Sequence, residues 1–84
     1  MSAVIMEEQL LVALGTDTDL NAAGCAAEAA SQVGIIVRRG THYRGAWCWR
    51  RGTYAFTPAG YSEATHSVAT IDEALLVTRQ IALR

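Results

Sequence analysis

"RRGTHYRGAWCWRRGTYAFT", residues 38–57, decides how this chain folds. It holds five of the seven basic residues, all of them arginine. It also holds both tryptophans, two of the three tyrosines and the single phenylalanine, with no Asp, Glu or Lys. One reading is a nucleic-acid surface, with rings that stack on bases and arginines that hold phosphate. The other is a β-hairpin whose rings fill a core. The supply of rings favours the hairpin. Only Tyr61 lies outside the stretch, and the neighbouring segment 22–30 is alanine-rich. Rings spent on the surface would leave little large apolar volume for an interior at normal packing density.

The hairpin spans residues 42–50 and 53–57, around Arg51-Gly52. A two-residue loop pairs Trp49 with Tyr54 and Trp47 with Phe56, which stacks four rings on one face. It also needs Arg51 at positive φ, which costs about 1 kcal/mol or more. A three-residue loop, Arg50 to Gly52, asks that only of Gly52. It pairs Trp47 with Ala55 and Cys48 with Tyr54, splitting the rings between faces. These local energies leave the register open.

Outward from the hairpin, "IIVRR" (35–39) reads as a strand, and "EATHSVA" (63–69) as a further one by its alternation. Residues 20–33 read as a helix. A cap comes from Asp17, Thr18 or Asp19, and Asn21, Glu28, Ser31 and Gln32 form a polar stripe. Leu20, Ala23, Ala27, Ala30 and Val33 form a small-residue face, and Gly34 is the stop. Residues 2–14 read as a helix capped by Ser2, with a strand over 9–14 as the competitor. Thr70-Ile71-Asp72-Glu73 is a capping box that opens a final helix to about Leu83.

The expected fold is α+β, a single small domain over 1–84. A three- or four-stranded antiparallel meander is packed in two layers by the Ala-faced helix and the C-terminal helix, with an N-terminal helix (or strand).

Composition bounds function. Counting glycine, 47 of the 84 residues are apolar, above the usual share of about 45–50%. A chain this short has much surface per residue, so the excess predicts a subunit interface and a homo-oligomer. Net charge is −1. Acids fill residues 1–37 and arginines fill 38–57, so the two segments can neutralise each other within a chain or across an interface.

No metal, cofactor or catalytic signature appears. Cys25, Cys48, His42 and His66 lack the short spacings of structural zinc sites. No nucleophile elbow or phosphate loop is present. Residues 1–12 lack the basic start of a secretory signal, and the longest strictly apolar run is Leu10–Leu14, too short to span a bilayer. Cys25 and Cys48 therefore read as reduced thiols of a cytoplasmic protein, with one disulfide as the alternative.

The function expected is a non-enzymatic, homo-oligomeric binding or interaction module. Its candidate ligand-binding residues are Arg38, Arg39, Tyr43, Arg44, Trp47, Trp49, Arg50, Arg51 and Tyr54. Rings beside small residues with arginines on the rim suit a small acidic ligand or a peptide. Nucleic acid on the same hairpin is the alternative, and no membrane partner is expected.

Overall fold

Ser2 caps the first helix, its hydroxyl accepting from the Val4 N–H at 3.2 Å. Strong helix formers then carry α1 from Ala3–Thr16, so residues 9–14 are helical and not a strand. These features are seen in a computed structural model, which describes residues 2–84. Asp17 ends α1 and caps α2 (Thr18–Ala22), accepting from the Leu20 N–H at 3.0 Å.

The helix expected over 20–33 is cut short. It stops at Ala22, and Gly24 turns the chain with φ of 80°, a value that L side chains rarely adopt. Cys25–Ala30 is a strand instead, β1, hairpinned to β2 (Gly34–Arg39). Alanine's helix preference over Gly and β-branched residues is worth only tenths of a kcal/mol to about one per residue. That preference is lost to a full antiparallel ladder with β2 and to the Glu28–Arg38 ion pair at 2.6 Å across it.

β3 (His42–Arg50), β4 (Thr53–Pro58) and β5 (His66–Val68) complete a five-stranded antiparallel meander in sequence order. The converted helix thus supplies the strand by which the meander exceeds the three or four expected. A bulge at Val37/Arg38 shifts the β2–β3 register, pairing Val37 with Gly45 but Arg38 with Tyr43. Arg44 is the additional residue, and such bulges re-aim side chains. α3 (Ile71–Ala82) follows Thr70, whose hydroxyl accepts from the Glu73 N–H at 3.2 Å. The Glu73 carboxylate receives the Thr70 hydroxyl at 3.0 Å, so side chain meets side chain where a full capping box would reach the backbone.

One sheet face carries Cys25, Ile35, Val37, Trp47, Tyr54 and Phe56, all buried with Leu10, Leu14 and Leu20 of the helices and Ala74, Val77 and Ala82 of α3. Val77 is buried too, and α3 packs against α1 as well as the sheet. Leu76 stays exposed.

Trp47 is fully buried and needs a partner for its indole N–H. It donates to the Thr78 hydroxyl at 2.9 Å, which donates in turn to the Ala74 carbonyl at 2.7 Å. A second tie joins Asp17 to Arg79 of α3. The hydrogen bond from Arg79 holds the Asp17 carboxyl below its ordinary value of 3.8, against the opposing pull of burial.

Thr78→Val keeps the shape but leaves the indole N–H buried without an acceptor. It should cost about 1–3 kcal/mol, read from the midpoint of denaturant unfolding. For Asp17, a carboxyl depressed in the folded state contributes fully above its unfolded value and loses that contribution as pH falls through the folded value. Asp17→Asn should therefore lower stability at neutral pH. It should also flatten the decline in stability as pH drops below about 3.8. Equal acid sensitivity in both proteins would contradict the assignment.

Candidate functional site

The nine residues singled out in the sequence separate into three groups. Trp47 and Tyr54 lie in the core, and Tyr54 donates its hydroxyl to the Met6 carbonyl at 2.9 Å. Neither offers a face to a ligand, because the interior needed their volume. Arg38, Arg39 and Arg44 are engaged within the chain. Arg38 pairs with Glu28 on the opposite sheet face. Arg39 donates to the carbonyls of Ala23, Ala82 and Arg84 at 3.3–3.4 Å. Arg44, re-aimed by the bulge, donates to the Ile81 carbonyl at 2.8 Å. Together these two satisfy carbonyls at the end of α3 that a helix leaves without partners, where positive charge is also favoured. Tyr43, Arg50 and Arg51 are exposed, and Trp49 is half-buried. The arginines therefore form no continuous strip with the rings.

The hairpin takes the two-residue loop. Arg50 pairs with Thr53, Trp49 with Tyr54 and Trp47 with Phe56. Trp47 and Phe56 meet at 4.9 Å between ring centroids, Trp49 and Tyr54 edge-on at 4.7 Å. Arg51 and Gly52 both have positive φ, 53° and 81°, as a type I′ turn requires.

His66 hydrogen-bonds the neighbouring Thr65 hydroxyl at 2.9 Å. Both cysteines are free. Burial pushes the Cys25 thiol up, against Arg39 and Arg44, which favours the unreactive thiol. Among the described residues, no three His, Cys, Asp or Glu gather where they could hold a metal ion, and no helix is long and apolar enough to cross a membrane.

What the structure builds instead is a cleft of about 530 Å³ between α1, the β1–β2 turn and the end of β3. Its origin is a missing rung. β2 begins at Gly34 and last pairs Ile35 with Trp47, so β3 runs on past it through Cys48, Trp49 and Arg50. In an antiparallel ladder the backbone groups of alternate residues point to alternate neighbours. Trp49 therefore aims its N–H and C=O at the place a longer β2 would occupy. Glu7 of α1 fills half of that vacancy, its carboxylate accepting from the Trp49 N–H at 2.9 Å.

Around this point lie Val4, Leu11, Val33 and the Trp49 ring, with Glu7, Glu8 and Arg50 as the charged side chains. Val4 and Val33 are 62% and 46% exposed, so the lining is apolar and open. Of these only Trp49 and Arg50 were singled out in the sequence. Glu7 and Glu8 are not among those candidates, although they interrupt the apolar run of α1. That interruption was the available signal: two adjacent acids in the middle of an otherwise apolar helical stretch.

Comparison with protein-family models, with characterised proteins and with solved structures finds no match to this chain.

The turn itself makes a prediction. Arg51→Asn replaces a residue strained at positive φ by one that tolerates it, giving the preferred Asn-Gly pair. Stability should rise by about 1 kcal/mol, read as a higher denaturant midpoint with an unchanged slope.

Proposed function

We propose that the chain is a non-enzymatic binding module whose cleft, at the base of the aromatic hairpin, takes a short peptide segment bearing apolar and basic side chains. The observation that carries this reading is the Glu7–Trp49 contact. A carboxylate stands where a strand's backbone would stand, and the Trp49 carbonyl beside it points into the same gap. A peptide N–H suits that carbonyl as an added strand would. The Glu7 carboxylate has lone pairs beyond the one Trp49 uses, and can accept from a Lys or Arg side chain as well.

Charge favours a basic over an acidic occupant. Glu7 and Glu8 line the cleft against Arg50 alone. The acidic ligand expected from the arginine count would need Arg38, Arg39 and Arg44, and these are spent on Glu28 and on the ends of α2 and α3. The volume falls in the usual range for small-ligand sites, about 300–1,000 Å³. Val4, Leu11, Val33 and Trp49 provide the apolar wall.

Two tetrapeptides test the reading, one alternating leucine and lysine, the other leucine and glutamate. The backbone amide resonance of Trp49 is the reporter. The lysine peptide should shift it saturably and the glutamate peptide should not. Glu7→Gln should weaken the lysine response several-fold, since a neutral amide can still accept but no longer pairs a charge. Equal responses to both peptides would sink the proposal. Single-stranded DNA serves as the competing probe. Binding that falls steeply with salt would favour nucleic acid at Tyr43, Arg50 and Arg51 instead.

A further inference from the structure

The two edges of the sheet are built differently. β5, at one edge, is three residues long. β1, at the other, is six residues long, Cys25–Ala30, and pairs only with β2. Exposed edges are normally blunted by shortness, proline, lysine or a bulge, because they carry a row of unpaired backbone groups. β5 is blunted by its length. β1 has no such protection: its sequence is CAAEAA, its ladder with β2 is regular, and its one charge is already matched by Arg38.

Alternation fixes which groups are unpaired. The Gly40 N–H donates to the Gly24 carbonyl at 2.9 Å. In the same register Ala26, Glu28 and Ala30 exchange bonds with Arg38, Ile36 and Gly34. Cys25, Ala27 and Ala29 then aim N–H and C=O away from the sheet. Outside the β1–β2 ladder, no backbone hydrogen bond reaches these three among the described residues.

We propose that this edge pairs with the same edge of a second copy of the chain, antiparallel, about a two-fold axis through Ala27, joining two meanders into one continuous sheet. Ala27 exchanges both bonds with Ala27 of the second copy, and Cys25 with Ala29 of the second copy. The register keeps each face on its own side, as a strand's period of two demands.

Charge argues for this occupant. On the outward face, Glu28 comes to lie beside Ala26 of the second copy, and Ala26 pairs with Arg38 within its own protomer. Alanine's single methyl leaves room for the Arg38 side chain to reach across. Each Glu28 then lies between two arginines, and each Arg38 between two carboxylates. Both side chains are about half exposed in one protomer and free to turn toward the axis. The inward-facing pairs are Ala27 with Ala27 and Cys25 with Ala29, side chains too small to force the strands apart.

Sedimentation equilibrium of the unaltered chain should give the mass of a dimer. Ala27→Pro removes an outward N–H and puts a ring in the slot while leaving every β1–β2 bond in place. It should sediment as a folded monomer with unchanged circular dichroism. Glu28→Arg should weaken association by tenfold or more, and adding Arg38→Glu should restore it, since the two-fold operation makes the swapped pairs equivalent.

Amide exchange decides even where a variant fails to fold. In the dimer Ala27 and Ala29 are protected as strongly as Ala26 and Glu28. A monomer in which Ala27 and Ala29 exchange fast would overturn the proposal. So would a dimer that survives Ala27→Pro. Protection that appears only when the leucine–lysine tetrapeptide is added would assign the edge to a foreign strand.

Discussion

The burial of Trp47, Tyr54 and Phe56 on one face of the sheet fixes the register from which the rest of this structure follows. Judged by the loop and the pairs alone, the register is undecided. An arginine at positive φ costs about 1–2 kcal/mol, and two aromatic pairs return a similar sum. Burial breaks the tie. The three-residue loop slips β4 by one position, and a slip of one turns every side chain to the other face. Tyr54 and Phe56 would leave the interior, at about 1.5–3 kcal/mol for each large side chain exposed. The Tyr54 hydroxyl would also lose the Met6 carbonyl. Those terms together exceed the strain at Arg51 several-fold, so the turn accepts the unfavourable residue.

Large patterned elements were legible in the sequence, and the reason is physical. β3, β4, α1 and α3 appear where alternation or capping chemistry placed them, because side-chain period and backbone caps are local. The segment 22–30 was not legible. Its alanines favour a helix in isolation, and nothing within the segment announces that β2 will lie beside it. Only Gly24 marked the break, and a glycine inside a helical pattern is often tolerated. The strand exists because of its partner, an interaction between residues such as Ala26 and Arg38 that no periodicity encodes.

The candidate site was legible only at its aromatic end. A count of arginines carries no information on what each one faces. Arg39 and Arg44 look like ligand-binding groups in the sequence, yet they satisfy carbonyls where α3 ends. Their role depends on a bulge between β2 and β3 and on how α3 meets the sheet, both tertiary facts. Glu7 is the converse case. It interrupts an otherwise apolar helical stretch in the sequence and becomes the cap of a strand, because β2 starts one residue too late to serve Trp49.

The cleft and the free edge share a boundary, and this ties the two proposals together. Ala29 and Ala30 line the cleft, and Ala29 also belongs to the row of outward backbone groups on β1. A second copy paired there holds Ala29 through its N–H and C=O, and so holds one wall of the cleft. If pairing at this edge favours the peptide in the cleft, linkage requires that the peptide strengthen pairing by an equal factor. The two events act on one short strand of small residues. An alanine-rich β1 suits that position, since bulkier side chains would fill the cleft on one side and crowd the two-fold axis on the other.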